Sequence, residues 1–200
     1  MQLFPKSGDK PYTVGFFGSI AITGSILLYL FGSILKSAPL SATSFSVLSG
    51  VTEEWLFRMW LCAWIYKVTR SVFIAVPISS FLWAIFHIGR VTGEITSDIS
   101  IMYLAMFGML IAGVVLSYIF VGFRIMPFNF KNLLADVIAT VASVGCIYYV
   151  NTVTPLYVGG QFYYLFLVFF AGLPLGYLTL LFRSADGPTF GHMIVNALAR

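Results

Sequence analysis

The sequence predicts an all-α protein, a polytopic transmembrane helical bundle with about seven spans and a single membrane domain over residues 1–200. Of its residues, 60% are hydrophobic and only 9% are charged, which is too apolar for a soluble domain. Apolar runs of about 20 residues, long enough to cross the hydrocarbon layer, recur between charged or turn-forming residues. The 11 Lys and Arg are spread singly and form no patch, so we expect a lipid bilayer and no nucleic acid as partner.

Seven segments satisfy these criteria. The first follows Lys6 and Lys10 and is longer than the core of a signal peptide, so we expect it to remain as a helix. Within the sixth, Gly172 and Gly176 form a small-residue face for close helix contact. The last segment is short and ends at Arg200. The predicted spans lie near 14–35, 43–66, 72–89, 100–121, 132–150, 162–182 and 188–199.

The distribution of Lys and Arg between the spans predicts the orientation. Cytoplasmic loops carry an excess of these residues, so the richer side is expected to be cytoplasmic, with the N-terminus on it. The protein should therefore be an integral, multi-pass cell membrane protein. That side collects Lys6, Lys10, Lys67, Arg70, Arg124, Lys131 and Arg183, and the other side only Lys36, Arg90 and Arg200.

Three charged residues interrupt the second span in the stretch GVTEEWLFRMW. Each such charge costs roughly 2.5–3.5 kcal/mol at the centre of a membrane helix, so each needs a reason. Helical spacing places Arg58 on the same face as Glu54, four residues earlier, and the pair lowers the cost of burial. Glu53 points elsewhere without a partner on its own helix, which makes it a candidate for proton transfer.

Four further polar residues lie at membrane depth. Asp136 is one turn into its helix, where we expect the carboxylate to reach headgroup water. His192 and Asn196 are four residues apart and face the same way along the last helix. Singly, His87 is most simply a packing residue. Together with Glu53, however, these two histidines and the amide suit a site that activates water and stabilises an oxyanion.

Three motifs in order resemble the CPBP intramembrane proteases, which comprise the CAAX proteases and bacteriocin-processing enzymes and are also called the Abi family. EEWLFR matches the family's EExxxR, WAIFHI stands where the family has FxxxH, and HMIVN matches HxxxN. The resemblance covers 43–90 and 162–200. Trp83 replaces the phenylalanine of the second motif, which we interpret as a mild exchange of one flat packing residue for another. The stretch 91–161 has no matched motif and is interpreted as inserted helices.

The resemblance implies a role for each motif residue. Glu53 would be the general base that activates water, assisted by His87, while His192 and Asn196 would stabilise the oxyanion and Glu54 and Arg58 would support the site. The family is described as working through glutamate without metal, so we expect no cofactor. The alternative is zinc held by Glu53, His87 and His192.

The function predicted on this basis is an intramembrane endopeptidase that hydrolyses a bond of a membrane-associated, and in CAAX-type members prenylated, peptide or protein. Two alternatives remain open. A non-catalytic immunity or scaffold protein could keep the fold without using the site, and a proton-coupled transporter also keeps ionisable groups at membrane depth.

Overall fold

A computed structural model describes residues 11–35, 47–88, 99–126, 130–153 and 161–198. Helices account for most of these residues, which confirms the predicted all-α membrane bundle. The topology markers Lys6, Lys10, Lys36, Arg90 and Arg200 lie outside the described residues. The helices are α1 (Phe16–Leu35), α2 (47–69), α3 (Val72–Phe86), α4 (Ile99–Leu116), α5 (Phe130–Val153), α6 (Gln161–Phe182) and α7 (Asp186–Leu198).

Three of the described helices are long and apolar enough to cross a membrane, judged by length and composition. These stretches are Leu104–Val121, Phe130–Tyr149 and Tyr163–Phe182. Phe16–Leu27 and Val72–Phe86 are shorter apolar helices. The last predicted span, 188–199, falls mainly within α7, a helix of 13 residues.

Helix α2 changes its hydrogen-bonding pattern along its length. Residues 47–54 are α-helical, Trp55–Cys62 form a π-helical segment, and Ala63–Thr69 return to the α form. The π segment begins directly after Glu54. Such wider turns are rare and are frequent at functional sites, because they redirect the side chains that follow.

A two-stranded parallel sheet is the β-structure within the described residues. Strand β1 (Tyr12–Val14) pairs with β2 (Phe123–Ile125), with Thr13 opposite Arg124. The backbone N–H of Thr13 also donates to the carbonyl of Arg183 at 2.8 Å. Arg183 ends α6 in the left-handed region with φ of 54°. The strand therefore ties the start of α1 to the end of α4 and to the α6–α7 turn.

The predicted small-residue face of α6 packs closely against α3. A Cβ added at Gly172 would lie 2.9 Å from Ser80 Oγ and 3.0 Å from the ring of Trp83, and one at Gly176 would lie 3.1 Å from Val76. Glycine at these positions therefore lets the two helices approach and places the ring of Trp83 directly beneath α6.

A second close contact joins α7 to α5. A Cβ added at Gly187 would lie 2.3 Å from the Cβ of Ala139, and one added at Gly191 would lie 2.8 Å from the Cβ of Ser143. Helix α5 belongs to the stretch 91–161, for which the sequence offered no motif. It forms the surface on which the helix carrying His192 rests.

Candidate active site

Glu53 lies where α2, α3 and α7 meet, and its side chain is buried. Its Oε2 accepts a hydrogen bond of 2.7 Å from the indole N–H of Trp83. The same oxygen is 3.5 Å from Nε2 of His87 and 3.9 Å from Nε2 of His192. The structure thus brings one carboxylate and two imidazoles into a single cluster, from positions far apart in the chain.

His87 is held at the C-terminal end of α3, directly after Phe86. Its Nδ1 is 2.9 Å from the backbone carbonyl of Trp83. Because a carbonyl oxygen only accepts, Nδ1 carries the proton and donates it there. In the neutral ring Nε2 is then the nitrogen without a proton, and it lies 3.5 Å from Oε2 of Glu53.

Glu54 and Arg58 form the predicted pair, with 3.6 Å between Arg58 Nε and Glu54 Oε2, and both side chains are fully buried. The Arg58 guanidinium also lies 4.3 Å from the ring centroid of Trp83, a cation–π distance. The other carboxylate oxygen of Glu54 is 3.0 Å from Nδ1 of His192, which donates to it. Glu54 therefore orients His192 as well as pairing with Arg58, a contact that spacing within one helix does not indicate.

Asn196 joins the site one helical turn further along α7. Its Nδ2 donates to Ser49 Oγ at 3.3 Å, and Ser49 lies one turn before Glu53. The approach of α7 to α2 depends on Gly50, where an added Cβ would lie 3.2 Å from the backbone nitrogen of Met193. Asn196 thus directs its amide to Ser49, one helical turn before Glu53.

Trp83 was expected to be a packing residue, but its side chain also donates a hydrogen bond to Glu53. Its side chain is buried, and it contacts Glu53 through its N–H and Arg58 through its ring face. Its ring meets those of His87 and His192 edge to face, at 5.3 and 5.8 Å between centroids. The signal in the sequence was the departure from the motif itself, since indole has a hydrogen-bond donor that phenyl lacks.

The expectation for Asp136 was wrong. Its side chain is buried, with 7% exposed, beside a second buried carboxylate, Asp186. A Cβ added at Gly15 would lie 3.3 Å from Asp136 Oδ2 and 2.9 Å from Asp186 Oδ2, and the N–H of Gly15 donates to Asp186. The two carboxylates line a cavity of about 30 Å³. Helix position alone could not reveal this, because the segment that covers Asp136 comes from the start of the chain.

Asp186 opens α7, ahead of the predicted span 188–199. Burial raises the pKa of its carboxyl group to about 6, and hydrogen bonds from the N–H groups of Gly15 and Gly18 and from Ser184 lower it by a smaller amount.

The metal alternative requires three suitable ligands around one point. In the part of the chain that the structure describes, no three His, Cys, Asp or Glu side chains are arranged to hold a metal ion. Nε2 of His87 and Nε2 of His192 lie at ion-pair distances of 3.5 and 3.9 Å from Oε2 of Glu53.

Comparison with known families gives one match. Residues 35–131, just under half of the chain, match the family model described as type II CAAX prenyl endopeptidase Rce1-like. This region is therefore similar to the CAAX protease family that the motifs resemble. The matched region contains Glu53, Glu54, Arg58 and His87 and extends beyond residue 90 into α4 and β2. No curated protein and no solved structure matches the chain.

Proposed function

We propose that the protein is an intramembrane endopeptidase that hydrolyses a peptide bond of a membrane-associated peptide or protein with water activated by Glu53. The observation that carries the proposal is the cluster of Glu53, His87 and His192 on three helices. The description of the matched family indicates prenylated C-terminal peptides as the substrate class. Buried titratable groups grouped in this way are typical of catalytic sites.

The first step is attack by water. A water molecule beside Glu53 loses a proton to the carboxylate while its oxygen forms a bond to the carbonyl carbon of the peptide. The Nε2 electron pair of His87 accepts the second hydrogen of that water and orients it. The electron pair of the carbonyl double bond moves onto its oxygen, which becomes an oxyanion.

The second step is loss of the amine. The oxyanion accepts hydrogen bonds from the amide of Asn196 and from Nε2 of His192. In this step both nitrogens of the His192 ring carry a proton. Glu54 holds the opposite nitrogen of that ring. Glu53 then gives its proton to the peptide nitrogen, the C–N bond breaks, and the oxyanion electrons re-form the carbonyl.

The decisive variant is Glu53→Gln. Glutamine keeps the size of the side chain and an oxygen that can accept from Trp83, but it is not a base, so peptide cleavage should collapse while folding survives. The measurement is cleavage of prenylated and unmodified peptides by the purified protein in lipid vesicles. Arg124→Ala, an exposed change in β2, is the matched control and should cleave normally.

Each rival function predicts a different outcome. A transporter would show ion flux and no cleavage in the wild type, and a scaffold would show neither cleavage nor a difference between wild type and Glu53→Gln. Cleavage that persists in Glu53→Gln would refute the mechanism. Wild-type cleavage that is lost with a chelator and restored by zinc would show that the site uses a metal.

We also propose that the protein crosses the membrane several times with a cytoplasmic N-terminus. Three of the basic markers share one end of the bundle: Lys67 donates to the carbonyl of Phe120 at 2.8 Å, and β1 bridges Arg124 in β2 to the carbonyl of Arg183. An excess of Lys and Arg marks the cytoplasmic side. In a variant without native cysteines, Arg124→Cys should react with an impermeant thiol reagent only from the cytoplasmic face, and labelling from the other face would reverse the orientation.

A further inference from the structure

Trp83 contacts both groups that handle the proton in the proposed reaction. Its indole N–H donates to Glu53 Oε2 at 2.7 Å, and its backbone carbonyl accepts the N–H of His87 Nδ1 at 2.9 Å. Any residue at position 83 supplies the carbonyl. The indole N–H, by contrast, is specific to tryptophan, and phenylalanine in the family motif has no equivalent.

The indole ring is also held on several sides. Helix α6 approaches it so closely that a Cβ at Gly172 would lie 3.0 Å from its Cε3 atom. The Arg58 guanidinium lies 4.3 Å from the ring centroid, and the His192 ring meets the indole edge to face. A donor fixed in this way is aimed before substrate binds, so it loses little conformational entropy when it holds the carboxylate.

The hydrogen bond from the Trp83 indole N–H to Glu53 can align the carboxylate for proton transfer. A carboxylate can rotate about its side-chain bonds, whereas a carboxylate with one oxygen held by an N–H has a defined direction for its remaining electron pairs. Efficient proton transfer needs the base within hydrogen-bond reach of the water and correctly aligned. The geometry around Oε2 meets that need through Trp83.

We propose that Trp83 is a positioning residue of the reaction, whose indole N–H holds the Glu53 carboxylate in line with the water and with His87. This inference rests on the proposed function. Trp83 does not exchange protons with the substrate and acts through Glu53. The chain thereby has a donor to its general base that the phenylalanine of the FxxxH motif cannot supply.

The test removes the N–H and keeps the ring. We would replace Trp83 with phenylalanine and, separately, with 3-benzothienylalanine, in which sulfur stands in place of the indole N–H. Both should lower kcat roughly 10–100-fold and leave KM within about twofold, since a hydrogen bond to a charged group has been lost. The matched control is Trp60→Phe, because the Trp60 N–H has no partner among the described residues. That variant should keep wild-type kcat.

A spectroscopic measurement tests the hydrogen bond without relying on cleavage. The Trp83 indole N–H signal in ¹H–¹⁵N spectra, assigned by its loss in Trp83→Phe, should move upfield in Glu53→Gln because an amide oxygen is a weaker acceptor than a carboxylate. The signal of Trp60 should stay in place.

The outcomes separate the two proposals. If the wild type cleaves peptide and the benzothienylalanine protein has the same kcat, Trp83 is not a positioning residue and the proposed function stands. If the wild type cleaves nothing, the proposed function fails, and the role of Trp83 in catalysis fails with it. An indole signal that Glu53→Gln leaves unmoved would show that the hydrogen bond is absent. The benzothienylalanine protein keeps the ring, so it still decides the question if Trp83→Phe fails to fold.

Discussion

At the scale of single residues, the amide of Asn196 has two conceivable roles, to stabilise the oxyanion or to hold Ser49. Asn196→Ala should lower kcat by about 10²–10³ with little change in KM, the usual cost of losing one oxyanion donor. Ser49→Ala removes the oxygen that Asn196 now contacts at 3.3 Å and should leave kcat near the wild-type value. Equal losses in both variants would mean that Asn196 acts only through Ser49.

Arg58 should be needed for folding before it is needed for catalysis. Arg58→Ala leaves Glu54 buried without its cation, and breaking a buried pair costs about 3–5 kcal/mol. We therefore expect a large drop in the midpoint of thermal unfolding in detergent, or loss of folded protein. The exposed variant Arg124→Ala should unfold like the wild type. Normal thermal stability of Arg58→Ala would show that the pair is not structural.

Residue patterns in the sequence predicted a contact of the site only where both residues lie on one helix. The spacing of Glu54 and Arg58 on one helix predicted their pair, and ordered motifs indicated which side chains belong together. Neither pattern could show that Trp83 donates to Glu53 or that Glu54 binds His192, because those contacts join different helices. The burial of Asp136 was missed for the same reason, since its cover is the loop at Gly15.

At the scale of helices, the contact between α5 and α7 depends on the absence of side chains. Gly187→Ala should destabilise the protein by about 1–3 kcal/mol, because the new methyl group would lie 2.3 Å from that of Ala139. Gly145→Ala is the matched control on α5. A Cβ there meets nothing within 4 Å, so the change should be neutral or slightly stabilising. Thermal unfolding of both variants in one detergent measures the difference, and equal midpoints would mean that α5 and α7 do not pack this closely.

The helices themselves were well predicted from apolar runs between charged residues. The predicted spans 14–35, 72–89 and 162–182 correspond closely to α1, α3 and α6. The π segment Trp55–Cys62 and the strands β1 and β2 were not predicted. The sheet joins strands more than 100 residues apart, and a run of hydrophobic residues does not indicate such a partner.

At the scale of the whole molecule, stability should depend on pH through Asp186. The folded state binds a proton at this carboxyl group with a pKa of about 6, above the ordinary value of 3.8 for an aspartate in an unfolded chain. The folded state therefore holds more protons between these values, and stability falls as pH rises from about 4 to above 6. The full effect is on the order of 3 kcal/mol, since each pKa unit corresponds to about 1.4 kcal/mol.

Asp186→Asn provides the measurement for this dependence. Its unfolding midpoint should vary less than that of the wild type between about pH 4 and pH 7 in the same detergent. If Asp186→Asn loses as much stability as the wild type over this interval, Asp186 is not the group responsible. The position of Asp186 at the start of α7 means that this titration acts on the helix that carries His192.

The order in which the chain is synthesised gives the Glu54–Arg58 pair a further consequence. His192 lies 138 positions after Glu54, so a ribosome needs on the order of ten seconds to add it. During that interval α2 must enter the bilayer without α7, and Arg58 supplies the countercharge for Glu54 from within the same helix. The imidazole of His192 arrives only after α7 has been translated. Under the proposed function, the site stays incomplete in the nascent chain until α7 packs against α2.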